Sequence, residues 1–232
     1  MAKSKIIKDL ANGTVNTVTA LKRAKVLLSD IGNEEVQKWI NYEIVGYPAD
    51  YNLPDYRKAR GSLFGSYFKG SMASHMTWTN VSIPLGNMPD DAKDALLKAE
   101  FREGVEALRR LVESASAKEV QLGKSIPADF FPAIAHYNND PYMIITSARV
   151  IVGEQFLTNI FSEIENRLLD ILILLEKEFG NLDELDLDVT SKTQEELQKI
   201  ADNVYFIVYH DDSIKIGDSN KISKSTIASS VE

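Results

Sequence analysis

Between Asn33 and Gly46, the apolar residues Val36, Trp39, Ile40 and Ile44 recur at helical spacing, so one face of this segment must be buried. Asn33 is an N-cap type, and Glu34 and Glu35 complement the positive end of the helix dipole. Gly46 stands where a C′ glycine ends a helix. Pro48 and Pro54 follow, and each holds its preceding residue in extended geometry. Upstream, residues 5–12 predict a short helical turn. Val18, Leu21, Ala24 and Leu28 then put a second apolar stripe on a helix. The short Asp30-Ile31-Gly32 connection makes these two longer helices an antiparallel hairpin.

From Tyr56 to Pro84 the period changes. Leu63, Tyr67, Phe68, Met76, Trp78, Val81 and Ile83 lie among Gly, Ser and Thr without helical spacing. They predict two strands joined near Gly70-Ser71, with room for a bulge. Pro89 opens a third helix, expected to run through Leu97, Phe101, Val105, Leu108 and Val112, although Gly104 weakens it by about 1 kcal/mol relative to alanine. Residues 114–141, with Pro127, Pro132 and Pro141, predict a long irregular segment. Tyr142 to Val152 is dense in β-branched residues and predicts one strand, or two broken at Ser147. The longest helix is expected over 154–179, ending at Gly180. Acidic residues and a short helix at Gln194–Asp202 follow. Val204–Tyr209 then predicts a strand, Asp211-Asp212 a turn, and Ser213–Gly217 its hairpin partner.

The expected fold class is α+β: a helical hairpin, a small antiparallel sheet and a long spine helix, with a C-terminal β-hairpin or β-ribbon appendage. Three segments are expected: an α+β domain over 1–182, an acidic linker with a short helix over 183–202, and the β appendage over 203–232. A two-stranded ribbon is too thin to bury itself. Residues 203–227 must therefore either pack on the main domain as a covered edge or pair with another chain. On the second reading, the expected one, the alternating Ile214, Ile216, Ile222 and Ile227 are the oligomerisation residues, through strand addition to another copy.

The most distinctive polar content lies beside Trp39. Glu43 is one turn further along the same side of the helix, and Arg57 follows beyond the proline turn. These two are expected to form an ion pair which, with Tyr47 and Tyr56, ties the turn to the helix. A site for a ligand carboxylate is the alternative. The run Trp39-Ile40-x-x-Glu43-Ile44-x-Gly46-Tyr47, followed by Leu53-Pro54-x-Tyr56-Arg57, resembles the signature of the AbiTii family of bacterial abortive-infection proteins. The helix carrying Leu21, Arg23, Ala24 and Leu27-Leu28, and the long apolar helix near residue 165, are also similar to that family. The resemblance spans roughly residues 5–180 and implies anti-phage defence by harming or arresting the infected cell. It implies no catalytic residues.

Composition narrows the chemistry further. Among 232 residues, 44% are hydrophobic and 26% charged, enough to build a sizeable core. The net charge of −8 argues against a protein that neutralises many phosphates, so nucleic acid is not an expected partner. With no cysteine, disulfides and thiolate metal sites are excluded, and a reducing cytoplasm is the expected compartment. No apolar run is long enough to predict a membrane span, and the N-terminus has no signal-peptide core.

His75, His136 and His210 are scattered, without metal-ligand spacing, so neither a metal nor another cofactor is expected. His210-Asp211-Asp212 pairs base and acid, but aspartate is common in turns in any case. Gly65 to Ser71 has the outline of a phosphate loop, yet serine stands where the lysine belongs. No Gly-x-Ser-x-Gly elbow occurs. The arginine shortly followed by histidine that marks many ribonucleases of the helical HEPN class is also missing.

The expected function is a phage-defence component acting by protein association, with a homo-oligomer, another defence protein or a phage protein as partner. The alternatives are a nuclease or nucleotide-processing effector assembled from dispersed histidines and acids, and a purely structural oligomerisation module. The charge balance generates a direct test. Titration of the full chain against labelled duplex and single strands at physiological salt is expected to show no submicromolar binding, and such binding would favour the nuclease alternative.

Overall fold

The structure, a computed structural model, describes residues 3–71, 73–117 and 121–210. Several of its helices begin where particular side chains satisfy the otherwise unpaired first-turn amides. The short α1 (Lys5–Ala11) has no cap from its own Ser4 side chain; instead, distant carboxylates serve it. Glu176 accepts from the Ser4 amide and hydroxyl, each at 2.6 Å, and Asp183 accepts from the Lys5 amide at 2.6 Å. In α2 (Thr17–Ser29) the Asn16 side chain accepts from the Thr19 amide. Asn33 caps α3 (Glu34–Val45) by accepting from the amides of Glu35 and Val36, as its position predicts. α2 and α3 form the expected helical hairpin.

Two antiparallel sheets follow. The smaller pairs β1 (Lys58–Arg60) with a distant short strand. The larger begins with β2 (Ser62–Ser71) and β3 (Ser74–Ser82), the predicted hairpin. Next come α4 (Asp90–Leu97), β4 (Lys98–Glu100), α5 (Val105–Ala117), β5 (Gly123–Ser125), α6 (Phe131–His136) and β6 (Ile144–Ile151). β4 pairs with β1, and the four-stranded sheet has the order β3-β2-β6-β5. The registers of β3 and β6 against β2 both shift beside Ser66, so bulges flank the central strand on both sides. One bulge carries Asn80 at a φ of +51°. The irregularity anticipated at Ser147 is the other bulge, where Thr146 is the extra residue within a single β6.

The spine is α7 (Glu154–Phe179), which buries Leu157, Ile160, Ile164, Leu168, Ile171, Leu172 and Leu175. Around it α1, α2, α3, α5 and the final helix, α8 (Gln194–Tyr209), form one apolar cluster. A second cluster, with Leu63, Tyr67, Met143, Ile145 and Val150, lies on one face of the larger sheet.

Three expectations are corrected. The third helix is not continuous: α4 ends at Leu97, and residues 98–103 leave helical geometry before α5 starts. Leu97 belongs to the sheet cluster and Val105 and Leu108 to the helical one, so the apparent continuous stripe serves two cores. The segment between them pairs with β1 and with Gly46. The 114–141 stretch holds the end of α5, β5 and α6 rather than only irregular chain.

The strand expected at Val204–Tyr209 is the last part of α8. Thr193 opens that helix with a capping box to Glu196, and Ile200, Val204 and Val208 repeat at four-residue steps on its buried face. A short apolar run does not distinguish strand from helix by periodicity, and here packing decides. Leu187 and Ile200, inside the stretch expected to be a linker over 183–202, also join the core. The rest of the expected appendage, including Ile214, Ile216, Ile222 and Ile227, lies outside the described residues.

The anchoring of α1 makes stability depend on acid. Burial pushes the Glu176 carboxyl up, but the Lys3 ammonium and the Ser4 hydroxyl and amide outweigh it and hold it at about 2, against an ordinary 4.5. A carboxyl lowered on folding contributes stability that is complete above its unfolded value and lost as pH falls through its folded value. The melting-temperature advantage of wild type over Glu176→Gln is therefore expected to be constant at neutral pH and to shrink from about pH 4.5 towards 2. Paired thermal melts across that range provide the check.

Candidate functional site

The residues singled out around Trp39 converge on one buried centre. α3 places Trp39, Ile40 and Glu43 on its inner side. The helix stops at Gly46, whose φ is +115° and where a Cβ would lie 2.9 Å from the Arg102 carbonyl oxygen. On the opposing segment, a Cβ on Gly104 would collide with the Ile44 carbonyl. Two glycines thus let the end of α3 and the 102–104 backbone touch, with the Tyr47 amide donating to the Arg102 carbonyl at 2.7 Å. Pro54 starts a single 3₁₀ turn, Asp55–Arg57, in which the Arg57 amide donates to the Pro54 carbonyl at 3.0 Å. This turn carries Tyr56 and Arg57 back over α3.

Glu43 and Arg57 form an ion pair, and both side chains are 0% exposed. Glu43 Oε2 accepts from Arg57 Nη2; Glu43 Oε1 accepts from the Tyr47 hydroxyl and, at 2.7 Å, from the Tyr56 hydroxyl. Trp39 Nε1 donates to the Tyr56 oxygen at 2.8 Å. Arg57 Nη1 donates to the carbonyls of Phe101 at 3.1 Å and Glu103 at 2.6 Å, while its Nε is buried without a partner. The guanidinium also lies over the Tyr47 ring, 5.2 Å from its centroid. Burial and the adjacent Glu43 carboxylate push both tyrosine hydroxyls far above the ordinary tyrosine range. They stay protonated and keep donating at every physiological pH.

Arg167, on α7, was not anticipated: its guanidinium lies 4.7 Å from the Tyr56 centroid, and its Nε donates to the Val208 carbonyl of α8 at 3.2 Å. An arginine on the apolar stripe of the spine helix, between Ile164 and Ile171, was the available signal. The carbonyls of Phe101 and Glu103 carry no sequence signal, because any residue supplies a backbone acceptor.

The histidines do not converge. His75 packs against Phe68 on the sheet, His136 against Tyr137 at the end of α6, and His210 stacks on Phe206 with centroids 4.1 Å apart. Among the described residues, no group of three or more His, Asp or Glu side chains is placed to hold a metal ion. A half-open groove of about 540 Å³ lies between α5 and the β6–α7 junction, lined by Val112, Leu122, Ile151 and Val152. On its wall, Ser116 donates to Glu154 at 2.9 Å. None of the residues of the Glu43–Arg57 centre lines it.

Comparison with protein families matches residues 4–201 to the family model described as AbiTii. The chain belongs to the AbiTii family. No curated protein and no solved structure matched it. In this AbiTii chain the residues that carry the family resemblance sit inside the molecule, held to one another. Chemically, the centre satisfies a buried carboxylate with three donors, and access from solvent would require its surroundings to open.

A centre of this kind is costly to break from one side. Glu43→Gln leaves Arg57 buried without its counter-charge and is expected to cost about 3–5 kcal/mol. Trp39→Ala removes a buried indole and one of the hydrogen bonds to Tyr56, with a similar expected cost of about 3–5 kcal/mol. Adding Arg57→Met to Glu43→Gln is expected to destabilise by less than the sum of the single changes, because the stranded charge is gone. Urea unfolding of wild type, the three single variants Trp39→Ala, Glu43→Gln and Arg57→Met, and the double variant measures these differences.

Proposed function

We propose that this chain acts in abortive-infection defence against phage, and does so through protein association rather than through an active site of its own. The observation that carries this reading is the burial of the resemblance-bearing residues. Trp39, Glu43, Tyr47, Tyr56 and Arg57 bond to one another, with Glu43 and Arg57 at 0% exposure, as parts that hold an architecture would. Further support comes from the dispersed histidines, each packed on a separate aromatic ring. In this reading the chain's surface, through a second copy, another defence protein or a phage protein, couples infection to arrest of the cell.

The test is a phage challenge of bacteria that express the chain, beside bacteria that carry an empty vector. Infected expressing cells are expected to die or stop growing before releasing phage, with a fall in plaque number. Equal plaque numbers at verified expression would overturn the defence role. Turnover of RNA, DNA or nucleotides by the purified chain would overturn association as its mechanism.

A further inference from the structure

We propose that β3 is a pairing edge for a second copy of this chain, and that two copies join antiparallel through it about a twofold axis. The inference rests on an asymmetry between the two ends of the larger sheet and stands whether or not the defence role holds. Every strand at the rim of a sheet presents unpaired backbone amides and carbonyls, and proteins blunt such rims with brevity, charge, proline or bulges. At one end, β5 is three residues long and carries Lys124. The separate β1–β4 pair is equally short and carries Lys58, Arg60, Lys98 and Glu100.

β3 has little of this protection. It runs nine residues, Ser-His-Met-Thr-Trp-Thr-Asn-Val-Ser, with no Asp, Glu, Lys, Arg or Pro; Trp78 and Val81 are half-buried and the others exposed. Met76 is 66% exposed. Its single blunting device is the bulge at Asn80, near its C-terminal end, and residues 74–78 keep regular pairing with β2. In a chain of net charge −8 with 26% charged residues, a rim of nine uncharged residues is a place where two like-charged copies meet without opposing charges.

That charge argument selects a second copy as the occupant, and topology then selects the stoichiometry. Antiparallel pairing of β3 with itself is isologous, so it uses both long edges at once. The combined sheet would run β5-β6-β2-β3 and then β3-β2-β6-β5 of the partner. Each outer end would be the β5 end, where β6 extends beyond β5, and because twofold pairing uses both β3 edges, growth through β3 stops at two copies.

Light scattering on the full chain is expected to give twice the mass of one chain. The double substitution Met76→Lys/Thr77→Lys places charge on exposed positions of the rim and is expected to halve that mass, with thermal unfolding retained. Because the chain has no cysteine, single cysteines also report the axis. Among His75→Cys, Met76→Cys, Thr77→Cys and Trp78→Cys, one or two neighbouring positions are expected to form an interchain disulfide. Lys124→Cys on the opposite rim is not. A chain ending at His210 is expected to remain dimeric.

A wild-type monomer, a dimer that survives the lysines, or cross-linking at position 124 in place of β3 would each overturn the proposal. So would a truncated chain that becomes monomeric, which would transfer the association to residues 211–232. Should the lysine variant fail to fold, the cysteine positions and the truncation still decide. Phage protection and dimer mass are separate readouts, so the defence reading and this one can fail independently.

Discussion

The ion pair between Glu43 and Arg57 is the constraint around which the helical half of the molecule is arranged. Moving each charge out of water costs several kcal/mol, and the attraction between them offsets this only when the remaining donors and acceptors are also satisfied. Apart from Arg57 Nε, which is left without a partner, the local devices near the pair serve that requirement. The proline-led 3₁₀ turn brings Arg57 over α3, and the Gly46–Gly104 contact brings in the carbonyls that accept from Nη1. Tyr47 and Tyr56 close the carboxylate with hydroxyls that do not ionise. A segment of chain about 45 positions away in sequence must therefore be in place before the end of α3 is satisfied.

This explains why residues 98–103 are not helical although their apolar spacing suits a helix. Helical geometry would withdraw the Phe101 and Glu103 carbonyls into intrahelical bonds and leave Arg57 with buried donors unmet. A local preference worth tenths of a kcal/mol per residue loses to an unsatisfied buried charge worth several. Gly104 was visible in the sequence as a weakness in a helix. Its role as the point of closest approach to Ile44 was not, because the partner lies sixty positions upstream.

Local punctuation accounts for what was legible. Asn33, Gly46 and Gly180 mark helix ends through side chains or φ values that belong to the residue itself, and the 154–179 helix is legible from its apolar spacing and from Gly180. The Glu43–Arg57 pair and its tyrosines were also legible, because proximity along one helix and across one proline turn suffices to bring them together. Long-range choices were not. Val204–Tyr209 has strand-like composition, yet α7 and α3 offer it a helical seat: Arg167 takes the Val208 carbonyl and Tyr209 donates to the Glu35 carbonyl at 3.1 Å.

Arg167 shows how the centre reaches beyond its own residues. It lies against Tyr56, whose oxygen is held between Trp39 and Glu43, and the same guanidinium bonds to the backbone of α8. The spine helix is thereby tied to the ion pair on one side and to the last helix on the other. Arg167 also pairs with Glu163 on its own helix, so its guanidinium is held from α7 and α8 together. In the larger sheet, Asn80 of β3 accepts from Arg149 at 2.9 Å. The molecule thus concentrates its buried charge where its own helices meet and carries no charged residue along β3.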